Sequence, residues 1–381
     1  MRILHVSDCY LPRTGGIELH VRDLAARQRA AGLDVTVVTA TAGPQPAEAV
    51  VRLPGVGTLP QPRALTELSR MIPSGGYDVV HAHSSLVSPL ARQAARVAGA
   101  TGTPAVVTMH SMLPSGFAAR ALGSLAPAPS PGVVWTAVSS AAAASLQVVL
   151  RGSDVSVLPN GVDPQDWSPR EGPPLPHPLT LVSVMRTARR KRPLQLLDIL
   201  AWIRDAVPAA EPLRAVLVGS GPLDGAIRRK LAATGMDRWV SHAGQLDRTE
   251  IRALLHRSDL YLAPAELESF GIAALEARCA GLPVIGMARC GIRDFISDGV
   301  EGFLVDSDAE LAERAALLLT DRVRLAEMQR HNRATAPAIS WPHVLDLHQE
   351  VYRVAAAMAG RSDQRERVAA PAGSLSGLSG F

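Results

Sequence analysis

Short apolar runs set the rhythm of this chain, each followed by a longer stretch with apolar residues at helical spacing. Ile3–Val6, Val35–Ala40, Asp78–His83, Pro104–His110 and Trp135–Val138 read as strands, with helices expected near Ile17–Ala31, Leu86–Gly99 and Ala141–Leu150. Strands that are apolar on both faces belong to parallel sheets covered on both sides. Ser139 or Ser140 is placed to cap the Ala-rich helix. The rhythm then stops: 161–178 is rich in Pro, Asp and Gly and reads as a linker.

After the linker it restarts. Leu179–Val184, Arg214–Gly219, Val240–Ala243, Leu260–Ala263, Pro283–Gly286 and Gly302–Val305 are the next strands. The helices between and after them lie near Pro193–Val207, Leu223–Ala233, Arg248–Arg257, Gly271–Ala280 and Ala309–Leu319. The fold class is therefore α/β, with two doubly wound, Rossmann-like domains facing a central cleft. Ligands of such sheets bind outside the carboxyl ends of the strands. The domains are expected at 1–172 and 173–340. From 361 to 381 the chain turns to Ser, Gly and charge, which reads as a disordered tail.

Composition narrows the function. The chain has 381 residues, 47% of them apolar, enough for two cores. Three cysteines make no disulfide framework and lack metal-ligand spacing, so a reducing cytoplasm is the simpler home. The amino terminus is too short and polar for a signal peptide. The net charge of +4 is spread over both halves, which argues against nucleic acid as a partner. No charge falls between Arg120 and Arg151, a length that raises a membrane span. Pro127, Pro129, Pro131 and Gly132 break its first half, however, and its second half reads as strand plus helix. Lysine occurs only at Lys191 and Lys230 against 37 arginines, which draws the eye to Lys191.

Three segments could carry chemistry. Arg186-Thr187-Ala188-Arg189-Arg190-Lys191-Arg192-Pro193 follows a strand and opens a helix, with Pro193 suited to the first turn. Five cations there oppose the helix dipole unless a polyanion binds; the bland reading is a solvated basic loop. Pro264 to Glu276 runs from a strand end through Glu268 into a helix beginning near Gly271. Free backbone N–H groups from Ser269 to Ile272 could hold a phosphate or sugar oxygen there, Glu268 could accept from hydroxyls, and Glu276 sits on an otherwise apolar helix. The bland reading is an N-terminal charge and a helix ion pair. Arg13-Thr14-Gly15-Gly16 follows the first strand, where glycines let backbone approach a ligand; the dinucleotide fingerprint is not met. Gly219 and Gly221 after another strand could act similarly, and His110 closes a strand at the cleft edge. No metal-ligand cluster is apparent.

In this order the motifs resemble glycosyltransferase family 4, retaining enzymes of the GT-B fold, over about residues 1–355. The resemblance rests on Glu268 and Glu276 with seven residues between them, Arg186 and Lys191 with four, and the Gly15-Gly16 loop followed by Glu18. Pro159-Asn160-Gly161-Val162-Asp163 and Asp78-Val79-Val80-His81-Ala82-His83 add to it. The helix around Trp341–Tyr352, placed within 341–360, is similar to one that crosses back onto the first domain. The resemblance implies a nucleotide-diphosphate-sugar donor, GDP-mannose or a UDP-sugar, and neither cofactor nor metal. Glu276 would bind ribose; Arg186 and Lys191 would bind the diphosphate. Glu268 and the amides of Phe270, Gly271 and Ile272 would hold sugar and phosphate. Gly16 would close on the donor from the first domain, with Gly15, Gly219 and Gly221 as further contacts and His110 near sugar and acceptor. Attack from the front face, with the leaving phosphate taking the acceptor proton, is the implied route.

Departures are Arg192-Pro193 where glycine usually follows the lysine, Ala277-Arg278-Cys279 where Met is more usual in the middle position, and the Cys290–Asp294 loop. That loop carries one glycine and an aspartate where two glycines and a glutamate are common. A hexosyltransferase acting on a lipid, glycan or small-molecule acceptor is the leading expectation. A sugar-nucleotide epimerase of the same architecture and a non-catalytic nucleotide-sugar binder are the alternatives. Leu113–Pro131 could form a flap over the acceptor side, and the pI near 9.3 would favour peripheral contact with an anionic membrane.

Overall fold

The computed structural model describes residues 1–44, 49–113, 132–168 and 178–369, with side chains described to 360. The first sheet is built from β1 (Arg2–Ser7), β2 (Asp34–Thr39), β3 (Val50–Arg52), β6 (Val79–Ser84), β7 (Ala105–Met109), β8 (Val133–Ala137) and β9 (Ser156–Val157); a small ribbon pairs β4 (Gly55–Val56) with β5 (Leu59–Pro60). Its order is 3-2-1-6-7-8-9, every pair parallel. The helices are α1 (Gly16–Ala30), α2 (Pro62–Ser74), α3 (Pro89–Ala100), α4 (Ser140–Val149) and the single turn α5 (Pro164–Trp167).

The second sheet holds β10 (Leu179–Val184), β11 (Leu213–Val218), β12 (Val240–Gly244), β13 (Leu260–Ala263), β14 (Val284–Met287) and β15 (Gly302–Val305), in the order 12-11-10-13-14-15 and again all parallel. Around it lie α6 (Pro193–Ala206), α7 (Asp224–Thr234), α8 (Arg248–Leu255), α9 (Ile272–Cys279), α10 (Asp308–Thr320) and α11 (Arg322–Ala334). In each sheet the order reverses beside the first strand, at β1/β6 and β10/β13. That reversal opens a crevice at the carboxyl ends of the strands.

Most expected elements stand within a few residues of their places, and the differences have local causes. α2 was hidden by its prolines, Pro62 at its first turn and Pro73 in its last; Ala64, Leu68 and Ile72 form its buried stripe. α3 begins at Pro89 rather than Leu86. Its first amides, Leu90 and Ala91, donate to the Asp8 carboxylate at 2.9 and 3.1 Å, a cap supplied from 82 positions away. Part of the expected linker is ordered: Asp163 accepts from Gln165 N at 3.1 Å, and Trp167 is fully buried.

The closing helix α12 (Trp341–Ala369) packs on β6, β7 and β8 of the first sheet and extends past the 360 expected for it. Residues 361–369 were expected as tail and are helical; 370–381 lie outside the described residues. The charge-free stretch divides likewise. Residues 132–150 are β8 and α4, with Ser139 accepting from Ala142 N at 3.0 Å, whereas the flap at 114–131 lies outside the described residues. Among the described residues no helix is long and apolar enough to cross a membrane.

One backbone feature explains a departure from the family pattern. Arg192 sits at φ 59°, ψ 42°, the left-handed region that glycine enters freely. Its guanidinium holds it there, with Nη1 and Nη2 bonded to Asp308 at 2.9 and 2.7 Å and Nη1 to Pro264 O at 2.9 Å. Arg192→Gly should therefore cost less stability than Arg192→Ala, since glycine removes the backbone penalty of about 1–2 kcal/mol while both lose the ion pair. Melting of the two variants side by side checks this; equal losses would mean the left-handed turn costs nothing.

Candidate active site

The second domain's part of the site begins where β13 ends. Cys290 lies under the loop 264–270 and shapes it: Sγ donates to Ala265 O and Glu266 O, both at 3.1 Å, and Glu268 N approaches it at 3.4 Å. Burial pushes the thiol up to about 11, so it remains a donor. Gly291 N donates to Glu268 O at 2.9 Å, and a Cβ on Gly291 would stand 2.2 Å from Ser269 O, so the two loops meet backbone to backbone. Gly271, at φ 92°, then turns the chain into α9, which has no side-chain cap. The first amides of α9 are thus left for another acceptor.

The basic loop divides its cations. Arg192 is committed to Asp308, and Arg190 braces the facing loop through Leu267 O at 3.0 and 3.2 Å. The Lys191 ammonium and the Glu268 carboxylate are bonded to each other, both partly exposed. Arg186 and Arg189 are exposed and form no ion pair among the described residues. The five cations are therefore not equivalent: two build the loop, one is held by an acid in the cleft, and two project from it.

Gly219 and Gly221 have a structural role that the sequence did not reveal. Gly219 lies at φ 124°, and a Cβ there would fall 1.9 Å from Met185 O; one at Gly221 would fall 2.9 Å from Thr187 O. The loop after β11 consequently runs against residues 185–187, bonded through Thr187 N to Ser220 O at 3.2 Å and Leu223 N to Thr187 O at 2.9 Å. These glycines brace the turn that carries Arg186.

Glu276 lies one turn and more into α9 and is half-buried. Burial pushes its carboxyl up to about 8; Arg248 pulls it down and Asp23, on α1 of the other domain, pushes it up. The cleft thus holds a carboxyl that is largely protonated at neutral pH.

The first domain meets this half directly. α1 starts at Gly16 with Gly15 as an uncapped N-terminus, and a Cβ on Gly16 would touch Ile272 Cδ1 at 3.5 Å. Two helices from different domains therefore begin face to face. Gly15 leaves room for the buried Glu18 carboxylate, which pairs with Arg13 at 3.0 Å. Polar contacts lock the junction: Ser269 Oγ donates to His110 O at 2.7 Å, Ser139 Oγ to Ser269 O at 2.5 Å, and Ser140 N to Asp294 at 2.7 Å. Asp294, a departure from the family pattern, is the second domain's acceptor for the first residue of α4. The structure thus brings His110 to the Glu268–Phe270 loop, with the side chains of Ser139, Ser269, Cys290 and Asp294 as supports whose long-range partners no local motif identifies.

Behind His110 lies a buried polar cluster. His5, His20, His81, His83 and His348 are all buried with it, and burial holds every one of these rings below its ordinary pKa, His5 and His110 at about 3 and His348 at about 4. All six are neutral at physiological pH.

Comparison with known proteins bears on the family and the two-domain fold. Residues 14–166 match the family described as Glycosyltransferase Family 4, and residues 167–336 match Glycosyl transferases group 1. The chain is 30% identical to a D-inositol 3-phosphate glycosyltransferase of Nocardia farcinica, over 76% of this chain and 69% of the relative. It is 29% identical to a phosphatidyl-myo-inositol mannosyltransferase of Mycobacterium leprae, over 90% and 94%. Among solved structures, Anabaena HepE in complex with UDP and glucose superposes with a TM-score of 0.72 at 21% identity, covering 93% of this chain and 99% of that one. That likeness carries the two-domain GT-B fold.

The raised Glu276 carboxyl gives a pH signature. With a folded pKa near 8 against an ordinary 4.5, the folded protein binds more protons than the unfolded chain between those values, so this group lowers stability as pH rises through that window. Glu276→Gln removes the effect. The variant's melting temperature relative to the parent should therefore climb from pH 5 to pH 9; a difference that is flat with pH would show that the cleft does not hold the acid neutral.

Proposed function

The chain belongs to glycosyltransferase family 4, and we propose that it transfers a hexosyl unit, of mannose or glucose type, from a nucleotide-diphosphate sugar with retention of configuration and without a metal ion. The observation that carries the reading is the meeting of two uncapped helix N-termini at Gly16 and Ile272, with Lys191 on the same loop system. Backbone N–H groups, two helix dipoles and a lysine supply fixed positive potential where a leaving diphosphate gathers charge. A divalent ion would duplicate that work. GDP-mannose and UDP-sugars are the donors in view, and the nucleotide needs no separate cofactor.

Each residue then has a physical task. Arg186 and Lys191 bind the diphosphate, joined by the amides of Phe270, Gly271 and Ile272 and by Gly16 from across the cleft. Glu276, being largely protonated, can donate as well as accept toward the ribose hydroxyls without placing a second charge near the phosphates. Glu268 accepts from the sugar hydroxyls. Because Glu268 holds Lys191 before donor arrives, the phosphate competes for a lysine already kept in place, and release of Glu268 toward the sugar accompanies binding. The leaving phosphate is the base for the acceptor hydroxyl in a front-face attack. The names of the relatives support an acceptor carrying an inositol or related polyol.

Lys191→Ala should weaken nucleoside diphosphate binding by roughly 10- to 150-fold, the worth of a charge-assisted bond of about 1.5–3 kcal/mol. Glu268→Ala should keep or tighten that binding, since it frees Lys191, while turnover collapses. Titration calorimetry with GDP and UDP and product formation from the corresponding sugar nucleotides check both. Unchanged affinity in the lysine variant, or loss of binding with turnover retained in the glutamate variant, would reverse these roles.

A further inference from the structure

The side chains behind His110 form one unbroken series of hydrogen bonds. His110 Nε2 meets His83 Nδ1 at 3.0 Å, His83 Nε2 meets His5 Nδ1 at 2.9 Å, and His5 Nε2 meets Gln28 Oε1 at 2.6 Å. Gln28 Nε2 then meets the Tyr352 hydroxyl at 3.1 Å, that hydroxyl meets His81 Nδ1 at 2.9 Å, and His81 Nε2 meets Thr108 Oγ1 at 2.7 Å. Thr108 Oγ1 lies 2.7 Å from Thr136 Oγ1, which lies 3.3 Å from Val107 O.

Two groups set the direction of the series: the Val107 carbonyl and the Gln28 amide oxygen facing His5, both of which only accept. A backbone carbonyl only accepts, so Thr136 donates to Val107 O and accepts from Thr108, which accepts from His81 Nε2–H. A neutral imidazole carries one N–H, so His81 Nδ1 accepts from the Tyr352 hydroxyl, which accepts from the Gln28 amide nitrogen. Gln28 Oε1 is then the acceptor for His5 Nε2–H, His5 Nδ1 for His83 Nε2–H, and His83 Nδ1 for His110 Nε2–H. Every bond then has one donor and one acceptor, and the Gln28 amide lies in the matching orientation, its nitrogen toward Tyr352 and its oxygen toward His5. The rings of His5, His81 and His83 also approach closely enough to share a metal ion, but each of their nitrogens is spent in this series.

We propose that this buried series holds His110 as the Nε2–H tautomer and so presents its Nδ1 lone pair as an acceptor for a substrate hydroxyl, which makes His83, His5 and Gln28 positioning residues for the transfer. The substrate side of this inference rests on the transferase reading above; the tautomer does not. Tyr352 enters from α12, so the closing helix takes part in setting the chemistry of a ring at the cleft.

Nitrogen-15 NMR of histidine-labelled full-length protein at neutral pH reads the tautomers directly, with His110 assigned by its absence in His110→Gln. The expected spectrum has His5, His83 and His110 all protonated at Nε2 and bare at Nδ1. Gln28→Met removes the acceptor for His5 and should move His110 toward a mixture of tautomers. Thr136→Val frees the polarity from its far end and serves the same purpose should the first variant fold poorly. Where a nucleotide sugar is turned over, either variant should lower kcat by a few-fold to about tenfold, the worth of one neutral hydrogen bond, with KM for the donor unchanged. His110 protonated at Nδ1 in the parent, a His110 tautomer unmoved in both variants, or a metal ion bound stoichiometrically at these rings would overturn the proposal. Absence of turnover with the predicted tautomers in place would instead count against the transferase reading.

Discussion

Unspent positive potential at the junction of two domains is the constraint on which the rest depends. Helices normally quench their first amides with a side-chain cap, as Asp247, Ser307 and Asp321 do elsewhere in the second domain. α1 and α9 begin instead at glycines, with no such cap, and they begin against each other. Glycine at the start of α1 lets its backbone come up against the Ile272 side chain, with no side-chain cap between the two helix starts. The sheets, by reversing strand order beside β1 and β10, deliver both helices to this one place.

Holding that arrangement takes commitments away from the ligand. Arg190 and Arg192 are spent on carbonyls and on Asp308, Cys290 is spent beneath the Glu268 loop, and Gly219 and Gly221 allow the turn under Arg186. Across the cleft, Ser269 ties the second domain's loop to the His110 carbonyl after β7, and Ser139 ties it to the end of β8. The arginines of the basic loop are thereby sorted by geometry into members that build the loop and members that project from it.

Much of this was legible in the chain. Apolar runs of strand length, interrupted by a proline-rich stretch, already described two parallel sheets, because a strand buried on both faces has no polar alternation to show. The Arg186–Lys191 and Glu268–Gly271 segments were legible as places where a strand ends and a helix begins, and the structure puts both on facing loops of the second domain. What stayed hidden was long-range. Asp8 caps a helix 82 positions away, Asp294 bonds to Ser140 in the other domain, and Tyr352 reaches His81 across the first sheet. A local pattern carries no trace of such partners. His81 and His83 looked like part of a strand, and only the neighbouring His5 and His110 make them a network.

The most direct test is to melt the protein against GDP, UDP and ADP beside the matching uncharged nucleosides. A ligand at about a hundred times its dissociation constant adds roughly 2.7 kcal/mol, a rise of a few degrees in the midpoint. The account predicts such a rise with one nucleoside diphosphate and little with its nucleoside, because the diphosphate is what the two helix ends and Lys191 hold. Equal shifts from nucleoside and diphosphate, or none from any diphosphate, would contradict it.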